Sequence, residues 1–307
     1  MSDQMFDKIL FATSATEACD HAARVAFNMA ERYGAQLDVF HVLGRPTRGY
    51  SQVAIDVKTR ERVEVDEEYR DWVKEEIRVY YERQLANVGD QCTIDVAVGE
   101  PHREVLRRAR QTGPDLIVMG GHTRNVEDSV YAATAAGTTF QKVARGAHCP
   151  VLVITRPAGS FWGGFSRIVF GTDFSGASDV AFDYAVKFAR ALDCELYMFH
   201  AVDISGMGMG QVMAQDDIEE KLRSARQHMR FRYAAKIGDV KNYTIDVWEG
   251  LPYLEIVKYA REKQADLIVM AHHAKRREGE DARMGSNMEQ VVVRANCPVL
   301  SINRTVK

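Results

Sequence analysis

The chain has 307 residues, 46% hydrophobic and 27% charged, a balance that suits a soluble globular protein of one large domain or two ordinary ones. Lys and Arg number 40 against 43 Asp and Glu, a net charge of −3 that excludes a global basic field for nucleic acid. No apolar stretch approaches the roughly 20 residues of a membrane span, and five scattered cysteines without a CxxC pair argue against a disulfide framework or a thiolate metal site.

The first ten residues, MSDQMFDKIL, lack the long apolar core of a signal peptide, and the dispersed cysteines suit a reducing compartment, so a cytoplasmic location is expected. Ile9–Ala12 is a short apolar run that predicts a strand. Ala22, Ala26, Met29 and Ala30, at helical spacing, predict the helix after it. A second strand is expected over Leu37–Val42, then one long charged helix over DEEYRDWVKEEIRVYYERQLANVG. TIDVAV, a short helix opened by the proline of GEPHREV, the strand DLIVM, a glycine-bearing loop, another helix and the strand VLVI complete the unit. Thr155–Arg167, rich in Gly and Pro, reads as a linker.

After the linker the unit is written again. ILFATSATEACDHAARVAFNMAERYGAQLDVFHV (Ile9–Val42) aligns without a gap to IVFGTDFSGASDVAFDYAVKFARALDCELYMFHA (Ile168–Ala201). IDVAVGEPHREVLRRARQTGPDLIVMGGH aligns to IDVWEGLPYLEIVKYAREKQADLIVMAHH, and CPVLVI from Cys149 to CPVLSI from Cys297. Repeats of this length are domain-sized rather than solenoid units. Strand–helix alternation, with strands apolar on both faces, predicts parallel sheets covered by helices. The expected organisation is two tandem doubly wound (Rossmann-like) α/β domains over residues 1–156 and 168–307, with residues 157–167 between them.

Ligands of open parallel sheets sit beyond the carboxyl ends of the strands, where strand order reverses. Two segments of each repeat are expected there: the turn after the first strand (FATSAT; FGTDFS) and the loop after DLIVM. Backbone amides in such loops and at the next helix start can bind phosphate, aided by the helix dipole. The Asp after the first strand, a Gly-x2-Gly-x9-Gly-[Ser/Thr] loop pattern and the closing CPVL[VS]I resemble the universal stress protein family, across nearly the whole chain. The resemblance implies a five-stranded parallel sheet flanked by helices in each domain, a role in stress response, and, for many members but not all, ATP binding.

Carried over residue by residue, the resemblance divides the two repeats. In the second, Asp173 takes the place of the acidic residue that reaches the adenosine end, flanked by Gly171, Thr172 and the backbone near Ala201. Gly285 and Ser286 match the phosphate-binding Gly-Ser, within a loop that also includes Met270, Ala271, His273, Ala274 and Asn287. Ala271 and Ala274 stand where the pattern has glycine, and Ala274 to Gly285 is one residue too long. In the first repeat Thr13, Ser14, Gly120, His122, Thr123, Gly137 and Thr138 are the weaker candidates. Ser14 replaces the Asp, Thr123 replaces the second glycine, the loop is enlarged, and Glu127 and Asp128 within it would repel a nearby phosphate. Losing that carboxylate removes a charge-assisted hydrogen bond worth roughly 1.5–3 kcal/mol, so the second repeat is the expected nucleotide holder.

Other signals have plainer readings. His272-His273 has no second ligand cluster at a useful spacing, so no metal site is expected. His41 and His200 end equivalent strands and read as satisfied histidines. SGMGMGQ (Ser205–Gln211) does not fit GxGxxG and reads as a flexible loop. Cys149 and Cys297 read as small buried residues. Ser14 and Ser286 have no sequence-evident base, and no P-loop lysine is present, so catalysis is not expected beyond slow ATP hydrolysis. Single-domain members dimerise through their last strands, which implies pairing of Val151–Ile154 with Val299–Ile302 within this chain and allows a homodimer of whole chains. Two functions are in view: a nucleotide-binding stress regulator, or an interaction scaffold with both sites degenerate, acting on protein partners the sequence does not name.

Overall fold

A computed structural model describes residues 6–44, 53–55, 62–64, 66–121, 138–155, 164–204, 214–272 and 286–303. The first repeat runs β1 (Lys8–Thr13), α1 (Asp20–Tyr33), β2 (Gln36–Gly44), β3 (Val53–Ile55), β4 (Arg62–Glu64), α2 (Glu67–Tyr80), α3 (Glu82–Val88), β5 (Cys92–Gly99), α4 (Pro101–Thr112), β6 (Leu116–Gly120), α5 (Thr138–Gly146) and β7 (Val151–Ile154). The second runs β8 (Arg167–Gly171), α6 (Gly176–Leu192), β9 (Glu195–Val202), α7 (Gln215–Tyr233), β10 (Tyr243–Glu249), α8 (Pro252–Glu262), β11 (Leu267–His272), α9 (Ser286–Arg294) and β12 (Val299–Asn303).

The main strands join into one ten-stranded sheet, ordered β10-β9-β8-β11-β12-β7-β6-β1-β2-β5. Within each repeat every pairing in this sheet is parallel, as the doubly apolar strands predict. The repeats meet along an antiparallel seam between β7 and β12, with Leu300 opposite Leu152. An end strand left bare would offer unpaired amides and carbonyls to other chains; here each repeat covers the other's edge. Asn303 Nδ2 donates to the Arg145 carbonyl at 2.6 Å, and Thr155 Oγ1 to the Val292 carbonyl at 3.0 Å, tying helix ends of one repeat to strand ends of the other.

Two cores sandwich the sheet, each continuous across both repeats. One lies under α1, α2, α6 and α7 and includes Phe11, Tyr81, Phe170, Phe182 and Leu300. The other lies under α4, α5, α8 and α9 and includes Leu10, Phe140, Val169, Val292 and Val299. Residues neighbouring in a strand therefore serve opposite faces, which is the period-two side-chain alternation of a strand.

Three expectations change. The long charged helix of the first repeat is broken between α2 and α3 at Tyr81 (φ −104°, ψ 17°), whose ring is fully buried. Its hydroxyl bonds Thr13 Oγ1 at 2.7 Å, and its ring meets Phe27 at 5.5 Å, so tertiary contacts override the helical run. β3 and β4 form a small antiparallel hairpin that the sequence pattern did not announce. Arg167, expected in the linker, opens β8, and Phe165 just before it is buried in the core.

Candidate functional site

In each repeat strand order reverses between the first strand and the fourth, at β1/β6 and at β8/β11. Beyond those carboxyl ends the chain leaves for opposite faces of the sheet, opening a crevice. The turn after the first strand is built alike in both. Thr13 Oγ1 bonds Tyr81 and accepts from the Ala15 amide at 2.9 Å. Thr172 Oγ1 bonds Tyr233 at 2.7 Å and accepts from the Phe174 amide at 3.0 Å. Ala15 and Phe174 then take left-handed backbone (φ 52° and 62°), which the sequence did not signal because neither is Gly, Asn or Asp.

Histidines within β2 and β9, His41 and His200, brace the same turns. His41 Nδ1 donates to the Thr13 carbonyl at 2.9 Å, and His200 Nδ1 to the Thr172 carbonyl at 2.8 Å. Burial holds both below the ordinary value of 6.5, against the opposing pull of those backbone bonds. Below pH 6.5 the unfolded chain therefore takes up protons before the folded one does. Stability contributed by the neutral rings is complete above that value and is lost as pH falls through the lowered folded values. Urea midpoints should drop across this acid range, and His41→Gln with His200→Gln should flatten the drop. An unchanged slope in the double variant would contradict this assignment.

The turns differ at the residue after the threonine. Asp173 is exposed at the rim, and its Oδ1 accepts from the Ser175 amide at 3.0 Å and the Ser178 hydroxyl at 2.6 Å. Ser175 in turn caps α6 by accepting from the Ser178 amide at 3.1 Å. In the first repeat Ser14 Oγ bonds Thr16 Oγ1 at 2.8 Å and Cys19 Sγ at 3.1 Å, so an uncharged hydroxyl occupies the corresponding position.

Of the other second-repeat candidates, Gly171 pairs between Phe199 of β9 and Met270 of β11. A Cβ at 171 would stand 2.2 Å from Ile256 Cδ1, so packing against α8 accounts for this glycine. Ala201 lies two residues past Phe199 and is buried, while Met270 and Ala271 are half-buried at the end of β11. Ala271 pairs with Ile302 in regular strand and is absent from the positive-φ residues, so alanine there adds no backbone strain. Ser286 and the exposed Asn287 open α9. His273, Ala274 and Gly285 lie outside the described residues, as do His122, Thr123, Gly137, Glu127, Asp128 and Ser205–Gln211. In the first repeat Thr138 opens α5, and Gly120 ends β6 with room for a Cβ at ordinary contact distance.

His272 turns inward instead of joining a loop. It is buried, with Nδ1 3.0 Å from Ser301 Oγ on β12, which separates its role from that of His273. Among the described residues no group of three or more His, Cys, Asp or Glu is placed to hold a metal ion, and no helix is long and apolar enough to cross a membrane.

The sequence matches the model of the universal stress protein family twice, over residues 5–155 and 164–303. The chain belongs to the universal stress protein family. It is a tandem member. It is 34% identical over 146 residues to universal stress protein MJ0531 of Methanocaldococcus jannaschii, a match that covers 47% of this chain and 85% of that one. It is 28% identical over 157 residues to universal stress protein YxiE of Bacillus subtilis, covering 49% of this chain and 99% of that one. At full length its fold is similar to a universal stress protein from Archaeoglobus fulgidus (TM-score 0.65, 17% identity), which covers 98% of this chain and 97% of that one. A Pseudomonas aeruginosa universal stress protein structure is likewise similar (TM-score 0.62, 17% identity, 98% and 94% covered).

Proposed function

We propose that this tandem universal stress protein is a stress-response regulator that binds one adenine nucleotide, ATP, in the crevice of its second domain, with the domain boundary inside residues 157–167. The observation that carries the reading is the contrast at the two rims: an exposed Asp173 in one, an uncharged and internally bonded Ser14 in the other. Asp173 would hold the sugar, with the backbone of Gly171, Thr172 and Ala201 beside it. The phosphates would lie on the segment from Met270 through Ala271, His273, Ala274 and Gly285 to Ser286 and Asn287, where main-chain amides and the start of the nine-residue α9 favour an anion. The residues described at this rim fit such a ligand, and Ala271 brings no strain against it. The role is binding rather than turnover. Nucleotide bound along Met270–Asn287 would change the surface shown to protein partners, to the extent that it binds one state more tightly than another.

A second reading is favoured by one contact. Asp173 Oδ1 already serves Ser175 and Ser178, so the carboxylate can be explained as a brace of its own turn, in a scaffold that binds no nucleotide. A thermal shift separates the two. At about 100 times Kd, ATP should add roughly 2.7 kcal/mol to the folded state. Asp173→Ala should remove the ATP-dependent increment whatever it does to baseline stability, while Ser14→Ala keeps it. No increment in the wild type, with no nucleotide carried through purification, favours the scaffold.

A further inference from the structure

The two repeats share a turn but not the group that fills the space beside it. In the second, the Phe174 ring stacks on His228 of α7 (4.5 Å between centroids, 17° between planes) and packs on His200 at 4.3 Å. The gapless alignment puts Ala15 at the position of Phe174, and both have left-handed φ and amides bonded to the preceding threonine hydroxyl. His41 corresponds to His200 through the same bond to a threonine carbonyl. Counting back from the paired tyrosines Tyr81 and Tyr233, Glu76 corresponds to His228. In the first repeat the space bounded by Ala15, His41, Leu43, Trp72, Ile77 and Tyr80 is an open cleft, with Glu76 also on its wall.

Its rim is aromatic. Trp72 is 50% exposed and Tyr80 38%, where the second repeat has Ser224 and Arg232. Large aromatic side chains left in water beside a concave surface are a common feature of ligand sites. The cleft lies on the α1/α2 face of the sheet, since Leu43 and Ile77 belong to that core, whereas α5 packs on the other face. Ser14, Ala15 and Thr16 of the turn after β1 also line it, so it adjoins the β1/β6 crevice on the α2 side.

We propose that the first domain binds a small monocyclic aromatic molecule in this cleft, its ring standing where the second domain holds the ring of Phe174. The preferred class carries a hydrogen-bond donor, as phenols do. His41 gives its Nδ1 proton to the Thr13 carbonyl, which leaves Nε2 of the neutral ring an acceptor, and Glu76 is a second acceptor on the wall. Offset or edge-on contact with Trp72 and Tyr80 selects an aromatic ring over a saturated one.

The test is calorimetric titration of the full-length protein with phenol and with cyclohexanol. The wild type should bind one phenol saturably and cyclohexanol about tenfold more weakly or worse. Ala15→Phe supplies the other domain's own ring on a backbone that already accepts it, and should weaken phenol binding by at least about tenfold. Saturating ATP should leave phenol affinity unchanged. Absence of saturable phenol binding, equal binding of cyclohexanol, full binding by a folded Ala15→Phe, or competition by ATP would each overturn the proposal. If Ala15→Phe does not fold, Trp72→Ala on the exposed rim decides it: phenol affinity should fall by at least about tenfold, and an unchanged affinity overturns the proposal.

Discussion

Leu300→Asp should leave the chain largely unfolded at room temperature. Leu300 has no exposed surface, sits opposite Leu152 at the seam, and packs in the core shared by both repeats. Truncating a leucine so placed costs about 2–5 kcal/mol. A carboxylate in the same spot adds several kcal/mol of desolvation, because the side chains packed around it are apolar. Together these rival the roughly 5–15 kcal/mol that hold an ordinary domain folded. Leu300→Ala, which carries only the packing loss, should still fold, with its urea midpoint lowered. Circular dichroism with urea denaturation checks both, and a Leu300→Asp chain with a wild-type midpoint is incompatible with a buried seam.

Arg108→Ala, on α4 where it packs against the outer strands β2 and β5, should cost about 3 kcal/mol. The guanidinium grips Asp38 through Nε at 2.7 Å and Nη2 at 2.8 Å, and reaches Asp95 through Nη1 at 2.8 Å. The Asp38 side chain is 7% exposed, while that of Arg108 is 22% exposed. Without the arginine, Asp38 keeps a 3.3 Å bond from Thr93 Oγ1 and little else to offset its burial. The reverse change, Asp38→Ala, should cost less than half as much, because Arg108 retains Asp95 and contact with water. The second repeat answers the same problem without an arginine: Tyr197, Asp246 and Tyr259 stand at the matching positions, the Tyr259 hydroxyl donates to Asp246 at 2.7 Å, and Lys263 Nζ lies 4.0 Å from the same carboxylate. Asp38→Tyr combined with Arg108→Tyr should therefore recover much of the stability lost by Arg108→Ala alone. Equal penalties for Arg108→Ala and Asp38→Ala in chemical denaturation would contradict the asymmetry.

Much of this architecture is legible in the sequence because it rests on local pattern and repetition. Ile9–Ala12, Leu37–Val42 and DLIVM are apolar on both faces and become central parallel strands. The matched CPVLVI and CPVLSI segments become the paired strands at the seam. The features that escape the sequence depend on contacts made only after folding. The break at Tyr81 comes from a bond to Thr13, 68 residues away, which no helical periodicity reports. The left-handed turns at Ala15 and Phe174 fall on residues whose propensities argue against them. The alignment shows Ala15 against Phe174 as one substitution among many; only the rings around Phe174 give it meaning. At the rim, Asp173 is where the family resemblance leads one to look, but its bonds to Ser175 and Ser178 come from the three-dimensional turn.

Duplication has produced two rims that differ at the residue after the first-strand threonine, Asp173 in the second and Ser14 in the first. Isothermal calorimetry of ATP with the full chain tests most directly whether that difference confines nucleotide to the second. It should give one site per chain, lost in Asp173→Ala and retained in Ser14→Ala. Heat that persists in Asp173→Ala, two sites in the wild type, or none at all would contradict it.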